Sequence, residues 1–145
     1  MKEDIFHLGI KAIIRNEEGR ILLLENNPKY ASGLNSPHWD LPGGRIKKGD
    51  YIEATLKREL AEEIGIGDVE IIKFIDASVS NFSVHTGKQT VGLVLFTYLC
   101  PIKNPSQVEL IDDEHIQYQW VSPEKAAKLL KVRFSNSLAE KIRRL

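Results

Sequence analysis

The sequence lacks several features that would mark particular classes of protein. Its one cysteine, Cys100, excludes an internal disulfide and suits a reducing compartment. Its apolar runs are too short to span a bilayer, and the first residues do not form the charged and then apolar run of a signal peptide. Lysine plus arginine number 20, as do aspartate plus glutamate, so no overall charge favours a nucleic acid or an anionic membrane. We therefore expect a cytoplasmic protein without a membrane or a nucleic acid polymer as its partner.

Sequence periodicity predicts strands and helices along the 145 residues, which have the size and composition of one globular domain, 1–145. Alternating and β-branched runs predict strands at 7–14, 20–25, 69–79, 89–100 and 115–121. Apolar spacing and capping signals predict helices at 51–64, 123–130 and 137–144, the second with Ser122 as N-cap and Pro123 at its first position. Polar segments predict loops at 26–38, 80–88 and 104–114. This order of elements predicts an α/β sandwich in which helices flank a mixed sheet.

Residues 41–66, LPGGRIKKGDYIEATLKRELAEEIGI, lead from a glycine-rich loop into a helix. Asp50 is a suitable N-cap for that helix, and Gly65 is a suitable residue just after its end. One stripe of the helix is apolar and can face a core; it consists of Ile52, Leu56, Leu60 and Ile64. A neighbouring face carries three carboxylates, those of Glu59, Glu62 and Glu63. Like charges at this spacing repel one another, and a bound cation would reverse the sign of that interaction.

The glycine loop does not match two common phosphate-binding motifs. A Walker loop has lysine directly after its second glycine, where this chain has Asp50 after Gly49, and the dinucleotide motif G-x-G-x-x-G is absent. The acidic helix face leaves two interpretations open. It is a solvated charged surface, which is the commoner case for such spacing, or it binds Mg²⁺ or Mn²⁺ and, through the ion, a phosphorylated substrate.

The spacing over the whole stretch resembles the Nudix box, G-x5-E-x7-R-E-U-x-E-E-x-G-U, in which U is a bulky aliphatic residue. Gly44 is followed after five residues by Asp50, and after seven more by residues 58–66, RELAEEIGI. The one departure is Asp50, which stands where the family has glutamate. The sequence is thus similar to Nudix hydrolases, with the box at residues 44–66. The resemblance implies a Nudix-type α/β/α sandwich that hydrolyses a pyrophosphate bond in a nucleoside diphosphate linked to another group X.

Carried over position by position, the resemblance implies a metal site with Mg²⁺ or Mn²⁺ as the cofactor. The implied ligands are Glu59, Glu62, Glu63 and the carbonyl of Gly43, and the implied catalytic residues are Glu59, Arg58 and Glu62. Glu59 would position or deprotonate the attacking water, and Arg58 would orient the glutamates by ion pairing. Asp50 is one methylene shorter than glutamate, so we expect it to cap the helix or pair with Arg58 rather than to bind the metal.

An acidic loop supplies one more candidate ligand. In Nudix enzymes, an acidic residue from a loop at this end of the fold often adds a metal ligand or the base. Glu114, six residues before Trp120, fits that placement, and an ordinary charged loop is its alternative. For His38 and His115 we favour surface or packing roles, since a lone histidine is more often one of these than a functional group.

Candidate substrate contacts lie outside the fixed positions of the box. Arg45 follows the double glycine, and its guanidinium suits bidentate recognition of phosphate; solvated loop charge is the alternative. Three aromatic residues offer a ring on which a base could stack: Trp39, Tyr30 and Phe82. Trp39 is equally suited to the core. The expected partner is a small-molecule nucleotide, and a homodimer is left open.

The group X is the least determined part of the expected function. Members directed to ADP-ribose tend to carry a proline where this chain has Asn81 and Phe82. Members directed to dinucleoside polyphosphates tend to carry a tyrosine where it has Ser83 and Val84. Neither cue is met, which favours nucleoside triphosphates or a broad range of substrates. The alternatives are those two substrate classes, an isopentenyl-diphosphate isomerase-like enzyme, which would need a catalytic cysteine, and a nucleotide-sensing domain without activity.

Overall fold

The computed structural model describes residues 3–30 and 38–145. The described residues form eight strands and three α-helices. The strands are β1 (Phe6–Arg15), β2 (Ile21–Asn26), β3 (Trp39–Asp40), β4 (Gly43–Arg45), β5 (Lys73–Val79), β6 (Val84–Thr86), β7 (Gln89–Pro101) and β8 (His115–Val121). The helices are α1 (Ile52–Ile64), α2 (Pro123–Leu130) and α3 (Asn136–Arg143). Most of the loop predicted at 26–38 lies outside the described residues.

The strands form one mixed sheet with the order β3-β2-β1-β7-β5. β1 pairs in parallel with β7 along its whole length, from Phe6 opposite Gly92 to Arg15 opposite Pro101. The other pairs are antiparallel: β4 lies against β1, β6 against β7 and β8 against β2. Because β1 and β2 are central, their side chains alternate between two buried faces, and both strands are almost continuously apolar.

Helices cover both faces of this sheet, as the sequence predicted. On one face, α1 packs its apolar stripe into a first core cluster, which includes Ile10, Leu22, Leu24, Leu56, Leu60 and Ile64. On the other face, α2 and α3 complete a second core cluster, which includes Ile13, Leu23, Leu41, Leu130, Leu138 and Ile142. The single cysteine, Cys100, is fully buried in the first cluster. The expected sandwich of helices around a mixed sheet is therefore confirmed.

The helix termini confirm most of the predicted caps and correct one. Gly65 ends α1 in the left-handed conformation, with φ of 73°, which favours glycine. The Ser122 hydroxyl caps α2 by accepting a hydrogen bond from the Lys125 amide. The prediction that Asp50 caps α1 is wrong: Tyr51 occupies the N-cap position and makes no side-chain capping bond. The Asp50 carboxylate pairs with Arg58 instead of capping the first amides of α1.

Other predicted boundaries also need correction. Residues 43–45, predicted as a loop, form β4, because the backbone of Gly9–Lys11 offers them an antiparallel partner. The polar segment 80–88 contains β6, which turns back onto β7 as a hairpin. The strand predicted from residue 69 begins at Lys73, because the antiparallel register between β5 and β7 starts with Lys73 opposite Leu99. None of α1–α3, nor any other helix in the described part of the chain, is long and apolar enough to cross a membrane.

Candidate active site and metal centre

Glu63 lies at the centre of the site, where the last turn of α1 meets β4. Its carboxylate is almost fully buried, and the Gly43 amide donates a 2.8 Å hydrogen bond to its Oε1. Burial raises the pKa of Glu63 to about 8, although Lys11 and the Gly43 amide act in the opposite direction. A buried acid with one oxygen fixed and a pKa near neutrality is a group that a cation would readily deprotonate and bind.

Glu59 lies one turn earlier on the same face of α1, against the backbone of Gly44. A β-carbon at Gly44 would lie 2.3 Å from the Glu59 carboxyl carbon, so glycine leaves room for this side chain in its present position. Gly43 is constrained in a different way: its φ is 147°, and a β-carbon would lie 2.0 Å from the Ile10 carbonyl oxygen. The two glycines therefore let β4 approach both β1 and the glutamates of α1.

Partial burial raises the pKa of Glu59, and the nearby charge of Glu62 adds to that rise. Glu59 and Glu63 both line a cleft, together with residues that include Lys11, Tyr30, Arg45 and Glu114. Glu62 is exposed and is not among the described residues that line this cleft. The predicted common face of three glutamates is therefore two carboxylates in the cleft and one beside it. The role of Glu62 as a metal ligand and catalytic residue stays a prediction.

Arg58 and Asp50 form an ion pair beside the glutamates. Arg58 Nη1 lies 3.0 Å from Asp50 Oδ2, and its Nη2 lies 3.6 Å from Glu59 Oε1. The hydrogen bond from Arg58 holds the pKa of Asp50 below its usual range. Asp50 also accepts a long hydrogen bond from the Lys47 amide. The shorter acid thus reaches Arg58, and Arg58 in turn reaches Glu59. The orienting role of Arg58 stays a prediction.

The acidic loop before β8 faces the same cleft. Glu114 lines the cleft with its side chain exposed, while Asp113 accepts a 2.6 Å hydrogen bond from the Tyr30 hydroxyl. The Glu114 carbonyl accepts from the Asn27 amide at 2.8 Å, which ties this loop to the segment after β2. Tyr30 and Glu114, both predicted from the sequence, are therefore brought together on one rim of the cleft.

Two residues, Asp112 in the acidic loop and His115 at the start of β8, come closer to Glu63 than the sequence indicated. Nδ1 of His115 lies 3.6 Å from Glu63 Oε2 and 3.5 Å from Asp112 Oδ1. Glu63, Asp112 and His115 each offer a donor atom, and these atoms all lie within 4.8 Å of one another. The packing role expected for His115 is correct as far as its burial goes, but that burial places it beside the glutamate. Burial also lowers the pKa of His115, which keeps the ring neutral.

The remaining predicted substrate contacts separate into two groups. Arg45 lines the cleft, and its Nη1 lies 3.1 Å from His7 Nδ1. Phe82 also lines the cleft, with the Arg133 guanidinium 5.2 Å above its ring and His38 packed edge-on against it. Trp39 is only half-buried but packs against the second core cluster, away from the described cleft lining. The geometry favours the core role for Trp39 that the sequence left open.

The cleft is also lined by a buried charge cluster of Lys11, Asp40 and Arg133, which sequence patterns did not reveal. Lys11 Nζ lies 3.2 Å from Asp40 Oδ2 and donates to the Leu41 carbonyl at 3.1 Å. Arg133 Nε lies 3.4 Å from the same oxygen of Asp40. Burial would raise the pKa of Asp40, but Arg133 and Lys11 outweigh it and hold that pKa below its ordinary value. The cleft, about 810 Å³ in volume, thus has an acidic end and a mixed aromatic and cationic end.

The donors at the acidic end fit a divalent cation. Carboxylate oxygens are the ligands that Mg²⁺ and Mn²⁺ prefer, and two of them, from Glu59 and Glu63, open onto the cleft with raised pKa values. Glu114 offers a third at the rim. The buried Nδ1 of His115 has no hydrogen-bond partner in the described structure, so it is a further donor atom that could bind a cation.

This geometry agrees with the comparisons with known proteins. The family model described as NUDIX domain matches residues 5–142. The chain belongs to the Nudix family. A crystal structure titled as a MutT protein from Methanosarcina mazei Go1 has a TM-score of 0.69 at 26% identity, covering 99% of this chain and 95% of that one. The family resemblance of residues 44–66 is thereby confirmed, and the fold extends it to the flanking strands and helices.

Two curated relatives match shorter segments. Nudix hydrolase 5 of Arabidopsis thaliana is 32% identical over 60% of this chain and 28% of its own length. Nucleoside triphosphatase NudI of Escherichia coli is 29% identical over 63% of this chain and 67% of its own length. The chain thus matches under a third of the first relative and two thirds of the second.

Proposed function

We propose that this Nudix protein is a divalent-metal-dependent pyrophosphohydrolase of nucleoside triphosphates. The observation that carries the proposal is the contact between α1 and β4. There Gly43 fixes one oxygen of Glu63 at 2.8 Å, and Gly44 leaves room for Glu59. A site built around two carboxylates on one helix face is suited to holding Mg²⁺ or Mn²⁺ against substrate phosphates.

Each residue has a distinct part in this proposal. When bound, the ion would polarise a phosphoryl oxygen and lower the pKa of water. Glu59, Glu62, Glu63, Glu114 and the Gly43 carbonyl are the proposed ligands, of which Glu59 and Glu63 open directly onto the cleft. Arg58 holds the Glu59 carboxylate through its 3.6 Å contact.

Glu59 or Glu114 takes the proton from the attacking water. Burial raises the pKa of Glu59 toward the range in which a carboxylate is an effective base at neutral pH. Glu114 is exposed on the rim of the cleft, where solvent can carry away a proton. We assign the base to Glu59, because Arg58 and Gly44 fix its position, whereas Glu114 has no described side-chain partner.

The rest of the cleft suits a nucleotide. Arg45 and Lys47 line it near the glutamates, where they can contact phosphate oxygens. Phe82 offers a ring for stacking at the other end, and Tyr30 offers a second on the rim. The triphosphatase name of the NudI relative and the missing cues for ADP-ribose and dinucleoside polyphosphates favour nucleoside triphosphates within this class.

Two alternatives receive less support. An isopentenyl-diphosphate isomerase-like reaction would need a reactive cysteine, but Cys100 is buried in the first core cluster, where burial raises the pKa of its thiol to about 12. A silent nucleotide sensor would not need the glutamates and their supporting Arg58–Asp50 pair, all of which are present. The homodimer left open by the sequence, the cytoplasmic location and the absence of a nucleic acid partner stay predictions.

The decisive experiment is a hydrolysis assay with Mg²⁺ over nucleoside triphosphates, ADP-ribose and a dinucleoside tetraphosphate, with products resolved by chromatography. We expect a nucleoside triphosphate to give the monophosphate and pyrophosphate. Glu59→Gln and Glu63→Gln should each lower turnover at least about a hundredfold, since metal positioning carries much of phosphoryl-transfer catalysis.

Glu53, exposed on α1 away from the cleft and paired only with Lys57, supplies the control variant. Glu53→Gln should keep wild-type turnover. The proposal fails if no member of the panel is cleaved, or if Glu63→Gln keeps full activity. Cleavage of ADP-ribose alone would retain the chemistry and overturn the substrate class.

A further inference from the structure

His115 has an unsatisfied nitrogen directed at two carboxylates. Its side chain is 4% exposed, and Nδ1 lies 3.5 Å from Asp112 Oδ1 and 3.6 Å from Glu63 Oε2. Neither distance joins a well-formed hydrogen bond, and Nδ1 has no such partner among the described residues. A buried polar atom left in this state is costly unless something else satisfies it.

The groups around this nitrogen are held in place by the fold. The other oxygen of Glu63 accepts from the Gly43 amide, which leaves Oε2 directed toward His115. Asp112 Oδ1 accepts a 3.2 Å hydrogen bond from the Glu114 amide. The loop itself is tied to the end of α1, because the Ile111 amide donates to the Glu63 carbonyl at 3.0 Å. The three donors therefore need little rearrangement to meet a common ligand.

We propose that Glu63, Asp112 and His115 form a mixed nitrogen and oxygen metal centre that prefers Zn²⁺ or Co²⁺ to Mg²⁺. Imidazole nitrogen suits Zn²⁺ and its neighbours in the transition series, whereas Mg²⁺ is held by oxygen ligands. Separations of 3.5 and 3.6 Å are those of ligand atoms about 2.0–2.2 Å from one shared ion. Three protein ligands leave a further position open to a water or a substrate oxygen.

The inference rests on the proposed metal-dependent function, since Glu63 belongs to both sites, and it extends that function by a nitrogen-containing centre beside the carboxylate site.

The rival role for His115 is to orient Glu63 without touching the ion. Loss of such an outer contact costs about 10–100-fold in metal affinity, and it would weaken every metal that Glu63 binds. A direct nitrogen ligand acts differently, because its removal weakens Zn²⁺ much more than Mg²⁺. The two roles are therefore separated by metal selectivity and by the state of Nδ1 itself.

The test is ¹⁵N-histidine NMR of the chelator-treated full chain, titrated with Zn²⁺ and in parallel with Mg²⁺. We expect Zn²⁺ to shift the Nδ1 resonance of one histidine, and His115→Gln to abolish that shift. Calorimetry should show that His115→Gln lowers Zn²⁺ affinity at least about tenfold and changes Mg²⁺ affinity less than about threefold. His38→Gln, at another buried histidine of the cleft, and His85→Gln, at an exposed one, should retain the shift.

Several outcomes would overturn the inference. They are an unchanged Nδ1 resonance with Zn²⁺ bound, or an equal loss of Zn²⁺ and Mg²⁺ affinity in His115→Gln. If His115→Gln does not fold, Asp112→Asn on the partly exposed loop replaces it and should lower Zn²⁺ affinity in the same selective way. Wild-type protein that hydrolyses nucleotides with Mg²⁺ but shows no Nδ1 shift refutes this centre alone. A Zn²⁺-dependent shift without hydrolysis of any nucleotide refutes the proposed function alone.

Discussion

Gly44 and Glu59 occupy the same small space, so that a β-carbon on the first would lie 2.3 Å from the carboxyl carbon of the second. Gly44→Ala should therefore displace the Glu59 carboxylate while leaving the backbone unstrained. We expect kcat to fall at least about tenfold, since misplacing a catalytic group by an ångström is costly, with a much smaller change in melting temperature. Steady-state kinetics and a thermal melt measure the two effects.

Gly49→Ala is the matched control for that substitution. Gly49 lies in the turn between β4 and α1, has φ of 92° and would place its β-carbon in open space. It should cost about 1 kcal/mol of stability through backbone strain and leave kcat close to wild type. Equal losses of kcat in the two alanine variants would show that Gly44 acts through the backbone conformation of residues 43–50 rather than through Glu59.

The Arg58–Asp50 pair predicts a non-additive pair of mutations. Asp50→Asn and Arg58→Ala should each lower kcat by about 10–100-fold, because the first releases the guanidinium that holds Glu59 and the second removes it. The double variant should be little worse than Arg58→Ala alone, since both act through one contact. A double-mutant cycle on kcat measures the coupling. Additive effects would mean that Asp50 acts independently of Arg58.

The raised pKa of Glu63 predicts how the metal-free protein responds to pH. Its pKa is about 8 in the folded chain against 4.5 in the unfolded one, so the folded state binds more protons between these values. Stability should then fall as pH rises from about 4.5 to 8, by several degrees in melting temperature. Thermal melts in chelator should show this slope, and Glu63→Gln should flatten it.

A suitable control for this pH dependence is Glu53→Gln on the exposed face of the same helix, which should keep the wild-type slope. Addition of Mg²⁺ to the wild type should also reduce the slope, because a bound cation replaces the proton on Glu63. A wild-type melting temperature that is constant over this pH range in chelator would contradict the buried state of Glu63.

Lys11→Met would leave the buried Asp40 carboxylate with the 3.4 Å contact to Arg133 as its remaining ion pair among the described residues, beside the 2.8 Å hydrogen bond from the Leu41 amide. It should cost about 3 kcal/mol. Lys57→Met breaks an exposed pair on α1 and should cost less than about 1 kcal/mol. Urea unfolding measures both. Equal costs would show that Asp40 is better solvated than its burial indicates.

Local signals in the sequence located most elements of the fold. Pro123 and Ser122 predicted the start of α2, and the stripe from Leu56 to Ile64 predicted the buried face of α1, because these signals act within one or two turns of helix. The Asp50 cap failed because a competing partner, Arg58, lies two turns further along the helix. Local capping rules do not include such a contact.

The parts of the site that the sequence missed depend on pairing between distant strands. Asp112 and His115 reach Glu63 because β8 pairs with β2 in a register that places His115 opposite Asn26. Lys11 meets Asp40 and Leu41 because β1 lies beside the segment that follows β3. The periodicity of a single segment cannot predict such contacts between distant parts of the chain. A histidine directly after a run of three acidic residues was the one local signal, and it is common in charged loops.

The parallel pairing of β1 with β7 has a consequence for a chain being synthesised. Residues 43–66 leave the ribosome long before β7, yet the sheet face on which α1 lies needs β7 to flank β1. Until then, Leu56 and Leu60 have only part of their packing partners, and β8 has not yet brought His115 to Glu63. A nascent chain that ends before β7 should therefore bind metal weakly and be sensitive to protease within residues 43–66.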